Sequence, residues 1–209
     1  MIAALRKTAT RTGHYLARAL VCREPYRDQV MVVWVLVAGL IWILTTGSAN
    51  QTWTIYLLLS VMLGSLLAAI CAIDARFGII PDRLVGALAV CGFAAVWLLD
   101  LGEIMYRLAE VVIVLIAITA FRSIYRWVRG YDGFGFGDVK FLAAATLWIG
   151  FGSLPALLLI AVVSALASAF LLRSARYEVE GRHAIPFGPH LAIGLWLAWV
   201  FDPMATLPG

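Results

Sequence analysis

Apolar residues in this chain come in long unbroken runs, not in the alternating or three-and-four spacing of half-buried soluble elements. No charged residue occurs from Gln29 to Ile73, a stretch divided by Gly47-Ser48-Ala49-Asn50-Gln51. That length suits two membrane-spanning helices of roughly 20 residues joined as a hairpin. Charged or Gly/Pro-rich breaks divide the rest in the same way. The pattern predicts seven spans, at about 30–46, 54–73, 84–99, 108–121, 139–152, 155–172 and 189–203. The expected fold class is therefore all-α, a polytopic transmembrane helical protein. No internal repeat stands out, and the breaks are too short for a second globular domain. Residues 1–29 read as a cytoplasmic or interfacial segment and 30–209 as one membrane-embedded domain.

Composition agrees. Hydrophobic residues make up 63% and charged residues 13%, with a mean hydropathy of +0.95, too apolar for a soluble domain of this length. Arg6, Lys7, Arg11, Arg18, Arg23 and Arg27 are spread through the first 28 residues, which does not fit a cleaved signal peptide, so this segment is expected to stay. Leu5, Tyr15, Leu16 and Leu20 would anchor it as an interfacial helix. With the N-terminus inside, every Lys and Arg except Arg107 falls in a cytoplasmic segment, as the positive-inside rule requires. The net charge of +4 then points to anionic headgroups of membrane lipid, with no nucleic acid as partner. Cys22, Cys71 and Cys91 form no C-x-x-C pair, so no metal and no cofactor is expected.

Two acids break this pattern in a way that invites chemistry. Asp74 follows directly on an uncharged run, and Asp138, after Gly133-Phe134-Gly135-Phe136-Gly137, leads directly into another. The predicted topology puts both at the same depth on the cytoplasmic side. A carboxylate there costs on the order of a few kcal/mol unless it is paired, protonated or hydrated. Two within reach would share a proton and titrate as a unit, which is the chemistry of an aspartic protease. Asp138 also fits a helix start, whereas Asp74 sits at a helix end, where no local feature favours a carboxylate. Asp138 is accordingly expected to act as base and Asp74 as acid. Gly135 and Gly137 are expected to let an extended substrate strand approach.

Around these residues the sequence resembles the type IV prepilin peptidase family, membrane aspartic endopeptidases of the G-x-G-D class. Asp74 with Ile80-Pro81-Asp82-Arg83-Leu84 is similar to the family's first aspartate and its I-P-[DN] continuation. Gly135-Phe136-Gly137-Asp138-Val139-Lys140 is similar to the G-x-G-D-V-K block of the second. Ile185-Pro186-Phe187-Gly188-Pro189 resembles the block before the family's last helix, and together the matches cover about residues 54–203. The resemblance implies catalysis by Asp74 and Asp138. It also implies cleavage, at the cytoplasmic face of the bacterial inner membrane, of the basic leader of a prepilin or pseudopilin. Many members carry a zinc domain with two C-x-x-C pairs linked to N-methylation. Residues 1–29 hold one cysteine, so the layout is closer to the short form without that domain.

Neighbouring residues have ordinary readings as well. Pro81 marks a turn and Asp82 reads as the cap of the next span. Lys140 is expected to snorkel to headgroups or to tune the aspartates, and His190 to sit at the interface where the last span opens. Pro81, Asp82, Gly135, Gly137 and Lys140 form the candidate substrate loop, while Asp132, Glu178 and Glu180 could meet a basic leader. The rival readings are a small proton-coupled transporter or channel using the same carboxylates, and a non-enzymatic pilus assembly component.

Overall fold

In the computed structural model the described residues are 25–46, 51–99, 101–130, 135–174 and 186–201. They form seven α-helices and one 3-10 turn, and they include no strand. The helices are α1 (Pro25–Thr46), α2 (Gln51–Phe77), α3 (Asp82–Leu99), α4 (Ile104–Arg129, entered through the 3-10 turn Leu101–Glu103), α5 (Phe136–Ile149), α6 (Leu154–Ser174) and α7 (Gly188–Phe201). Each predicted apolar run falls mostly on one of them, the run at 139–152 ending in the turn after α5. The interfacial segment before residue 25, and Asp132, Glu178 and Glu180, lie outside the described residues.

Two helices run further than their apolar stretches, for the same reason. Hydropathy stops where charge begins, but Asp74-Ala75-Arg76 and Arg122 through Arg129 remain compatible with helical backbone. Glycine ends both helices. Gly78 adopts φ 66° and donates its N–H to the Asp74 carbonyl at 2.7 Å, and Gly130 adopts φ 77° and donates to the Arg126 carbonyl at 2.8 Å. A left-handed residue just past a helix satisfies carbonyls that the helix leaves open, and glycine takes that conformation without a Cβ clash.

Trp53–Phe77, Asp82–Leu99 and Leu101–Arg129 are each long and apolar enough to cross a membrane, and Val32–Leu44, Leu154–Phe170 and Gly188–Phe201 are shorter apolar helices. The chain is a membrane protein. Its outer surface agrees: Trp34, Trp42, Val90, Ile116, Trp127 and Leu166 are all more than half exposed. A surface this apolar suits lipid and not water.

α5 and α7 occupy the middle. α5 packs on α3, α4 and α7, while α7 packs on α1, α2, α5 and α6. In α7 every residue from Gly188 to Val200 except Leu197 is buried, whereas Val114 is the one buried residue of α4. At 14 residues, α5 is roughly 21 Å long, well short of a hydrocarbon core of about 30 Å. A helix sheathed by longer neighbours does not have to span that thickness itself.

The core contains residues of all seven helices and is fastened by aromatic side chains whose polar atoms find partners on other helices. Trp199 stacks on Tyr56 at 4.8 Å and meets Trp148 edge-on at 5.4 Å. Tyr56 Oη donates to the Trp199 carbonyl at 2.7 Å, and Trp199 Nε1 donates to Ser60 Oγ at 2.9 Å. Trp148 Nε1 donates to the Leu88 carbonyl and Trp196 Nε1 to the Val35 carbonyl. These contacts tie α7 to α1 and α2, and α5 to α3. At the far end from the aspartates, Glu110 Oε2 accepts the Phe151 N–H at 3.1 Å and lies 3.5 Å from Arg107 Nη1, pinning α4 to the turn after α5.

Candidate active site

The helix order returns the chain to one end of the bundle at the α2/α3, α4/α5 and α6/α7 connections, which bring together the end of α2 and the starts of α3, α5 and α7. Asp74, Asp82, Asp138 and Gly188 come from those four positions. Arg76, Arg83, Arg122, Arg126, Arg129 and Lys140 lie toward this end as well, whereas Arg107 belongs to the other.

Asp74 lies in the last turn of α2 and is only 4% exposed. No residue near it in sequence explains its burial; one 114 positions away does. The N–H of Gly188, the first residue of α7, donates to Asp74 Oδ2 at 2.9 Å. The approach is possible because residue 188 has no side chain. A Cβ there would stand 2.6 Å from Oδ2 and 2.8 Å from Cγ of Asp74.

Asp138 is half-buried in the first turn of α5, and its carboxylate accepts the backbone N–H of Gly135. This is one half of a capping box, an acid at the third helical position reaching back to the residue that opens the helix. Gly135 is extended (φ −67°, ψ 143°), and a Cβ on it would stand 2.9 Å from Asp138 Oδ2. The two carboxylates lie within electrostatic reach of one another. Among the described residues neither is joined to a cation. Each is held by a backbone N–H from a glycine, Asp74 at the end of its helix and more deeply buried, Asp138 at the start of its own. α2 ends at Phe77, within the turn that carries Asp74.

The other candidate residues divide. The Pro81 carbonyl accepts the N–H groups of Leu84 and Val85 at 3.0 and 3.2 Å, so Pro81 precedes the helix and Asp82 is already inside it. The expected capping role of Asp82 is therefore corrected. Its carboxylate instead accepts from Lys140 Nζ at 2.8 Å. Lys140 Nζ also lies 4.9 Å from the centre of the Phe136 ring, which Arg122 covers at 5.5 Å. Gly137 packs against the chain itself: a Cβ there would be 3.2 Å from Cβ of Ile80. His190 is not interfacial. It is fully buried, with Nδ1 3.0 Å from Ser164 Oγ, because α6 and α7 close over it.

The first sequence block thus meets both of the others: Asp74 touches Gly188, while Ile80 lies against Gly137 and Asp82 against Lys140. Gly188 and Phe136 were not among the candidate site residues. Pro186 and Pro189 around Gly188, just ahead of an apolar run, were the available signal for the first. Phe136 carried none beyond its place between two motif glycines. Chemically, the arrangement presents two carboxylates at the bundle end, each beside a glycine N–H and, among the described residues, neither neutralised by a cation. Such a pair can hold one proton between its members and pass it on.

Comparison with known proteins fits this arrangement. Residues 61–170, a stretch that includes both aspartates, match the model of the type IV leader peptidase family. The prepilin leader peptidase/N-methyltransferase of Burkholderia pseudomallei (strain 1026b) is 36% identical over 132 residues, 61% of this chain and 41% of that protein. The protein of the same name from Pectobacterium carotovorum subsp. carotovorum is 30% identical over 176 residues, 81% of this chain and 57% of that protein. That from Dickeya chrysanthemi is 29% identical over 192 residues, 87% and 60%. The chain spans about half the length of the curated relatives it matches. No solved structure matches the chain. With more than half of its residues matched, both aspartates among them, the chain belongs to the type IV leader peptidase family.

Proposed function

We propose that this protein is a membrane aspartic endopeptidase that removes the basic leader from a prepilin or pseudopilin, with Asp74 and Asp138 as its catalytic pair. The observation that carries the reading is the convergence of these two carboxylates, from the end of α2 and the start of α5, at one end of a membrane bundle without a described cation to neutralise them. In the reaction one carboxylate takes a proton from water as the oxygen attacks the scissile carbonyl carbon. The other gives its proton to the carbonyl oxygen, and collapse of the tetrahedral adduct passes a proton to the leaving nitrogen. Because the pair shares one proton, the free enzyme starts from one charged and one neutral carboxyl.

The bacterial inner membrane is the proposed location, with the aspartate end facing the cytoplasm. The basic residues of α2, α3, α4 and α5 at that end, against Arg107 at the other, support this orientation by the positive-inside rule. Family membership does not favour the transporter reading, and neither carboxylate lies near the middle of its helix, where a transport site is built.

Co-expression with a prepilin, following leader loss on a gel, tests the proposal. Wild type should process the precursor, and Asp74→Asn and Asp138→Asn should leave it full length at equal membrane abundance. Processing that survives both substitutions would end the dyad reading.

A further inference from the structure

The first turn of α7 has a donor to place. The Phe187 carbonyl accepts the N–H groups of His190 and Leu191 at 3.1 and 3.0 Å, and Pro189 has no N–H. The N–H of Gly188 is thus the donor that α7 leaves open within a buried segment, where an unsatisfied amide is costly. Its partner is Asp74 Oδ2 on α2. An acid at the start of a helix usually caps its own chain locally. Here the cap comes from another helix, and it is one of the two proposed catalytic carboxylates.

We propose that Gly188 is a positioning residue for catalysis: its N–H holds Asp74 Oδ2, so that Oδ1 is the oxygen that exchanges protons with substrate. The proposal rests on the dyad reading above. Three physical features support it. A backbone donor has no rotamer freedom, so the direction it imposes on the carboxylate is fixed by α7 itself. α7 is the most enclosed helix of the bundle, which makes it a rigid reference for a side chain on α2. The fit is also specific to glycine, because a Cβ at 188 would fall 2.6, 2.8 and 3.1 Å from Oδ2, Cγ and Cβ of Asp74. A methyl group there must turn or displace the carboxylate. Gly135 makes the corresponding contact with Asp138, so each member of the pair is set by a glycine N–H.

The test uses the full chain reconstituted in phosphatidylethanolamine/phosphatidylglycerol liposomes with a purified prepilin. Gly188→Ala should lower kcat about 100-fold with KM within about twofold, as expected for a reacting group misplaced by roughly 1 Å. The pH at which activity is half-maximal should also move. A mere loss of folded protein would scale the profile without moving it. Gly152→Ala, where a Cβ would meet nothing within 4 Å, should match wild type in every readout. A second measurement needs no variant at 188: hydrogen exchange at the Gly188 amide should quicken at least about 10-fold in Asp74→Ala, while Gly194 stays protected.

Wild-type kinetics and pH profile in Gly188→Ala, with Asp74→Asn inactive, would overturn this inference and leave the dyad standing. A Gly188 amide indifferent to Asp74→Ala would overturn it too. Activity in Asp74→Asn would instead sink the dyad reading beneath it.

Discussion

Lys140 Nζ lies 2.8 Å from Asp82 Oδ1, joining the N-terminal part of α5 to the first turn of α3 across 58 residues of sequence. The geometry is good, but the side chains are 34% and 73% exposed, so water and salt screen the pair. Exposed pairs of this kind contribute up to about 1 kcal/mol. Asp82→Asn is therefore expected to lower the melting temperature of the purified protein by no more than about 4 °C, and leader processing should continue. Loss of processing with the fold intact would place Asp82 in the chemistry instead.

Gly78 and Gly130 support a matched comparison. Both sit in the left-handed region at a helix end, and a Cβ at either would meet nothing within 4 Å. Alanine at either position should cost on the order of 1–2 kcal/mol from backbone conformation alone. Gly78, however, donates to the carbonyl of Asp74 itself. Equal losses of thermal stability are expected, together with a fall in kcat for Gly78→Ala only. A matching fall in Gly130→Ala would show that cleavage tracks general stability.

At Gly135 the expectation is steric. A Cβ would stand 2.9 Å from Asp138 Oδ2, so Gly135→Ala should swing the carboxylate away from the N–H that orients it. Processing should drop about 100-fold while the helical circular dichroism signal is retained. Wild-type turnover would mean that this contact has no bearing on catalysis.

Tyr56 tests the core independently of the site. Its hydroxyl donates to the Trp199 carbonyl at 2.7 Å within the buried stack. Tyr56→Phe keeps the ring but removes the donor, and should cost about 1–3 kcal/mol in thermal unfolding. KM and kcat at low temperature should be unchanged. A change in either would tie the aromatic stack to the active end.

Much of this molecule was legible in the pattern of apolar runs, since each predicted run became a helix and both aspartates stand at one end. Which helices are central was not, because a side chain facing lipid and one facing protein are equally apolar. α5 and α7 are buried all round, α4 hardly at all, yet their sequences read alike as spans. Helix ends were blurred where charge continues a helix beyond its apolar stretch, as at Asp74 and Arg122. The misplacement of His190 has the same origin: its position at the start of an apolar run suggests an interface, but the packing of α6 against α7 covers it. The Asp74–Gly188 contact was hidden for a different reason. A backbone donor has no side chain to mark it in a sequence, and the partners are 114 residues apart. The resemblance of the block around Gly188 marked the place without saying what it touches.

The central claim is that Asp74 and Asp138 act as one unit. The most direct measurement is the single-turnover cleavage rate of a prepilin by reconstituted wild type, Asp74→Asn, Asp138→Asn and the double variant. Groups that work as a unit are strongly non-additive, so each single substitution should lower the rate by at least about 1000-fold and the double variant should be no slower than the singles. A single variant that still cleaves at the wild-type rate, or losses that multiply in the double variant, would contradict a shared catalytic pair.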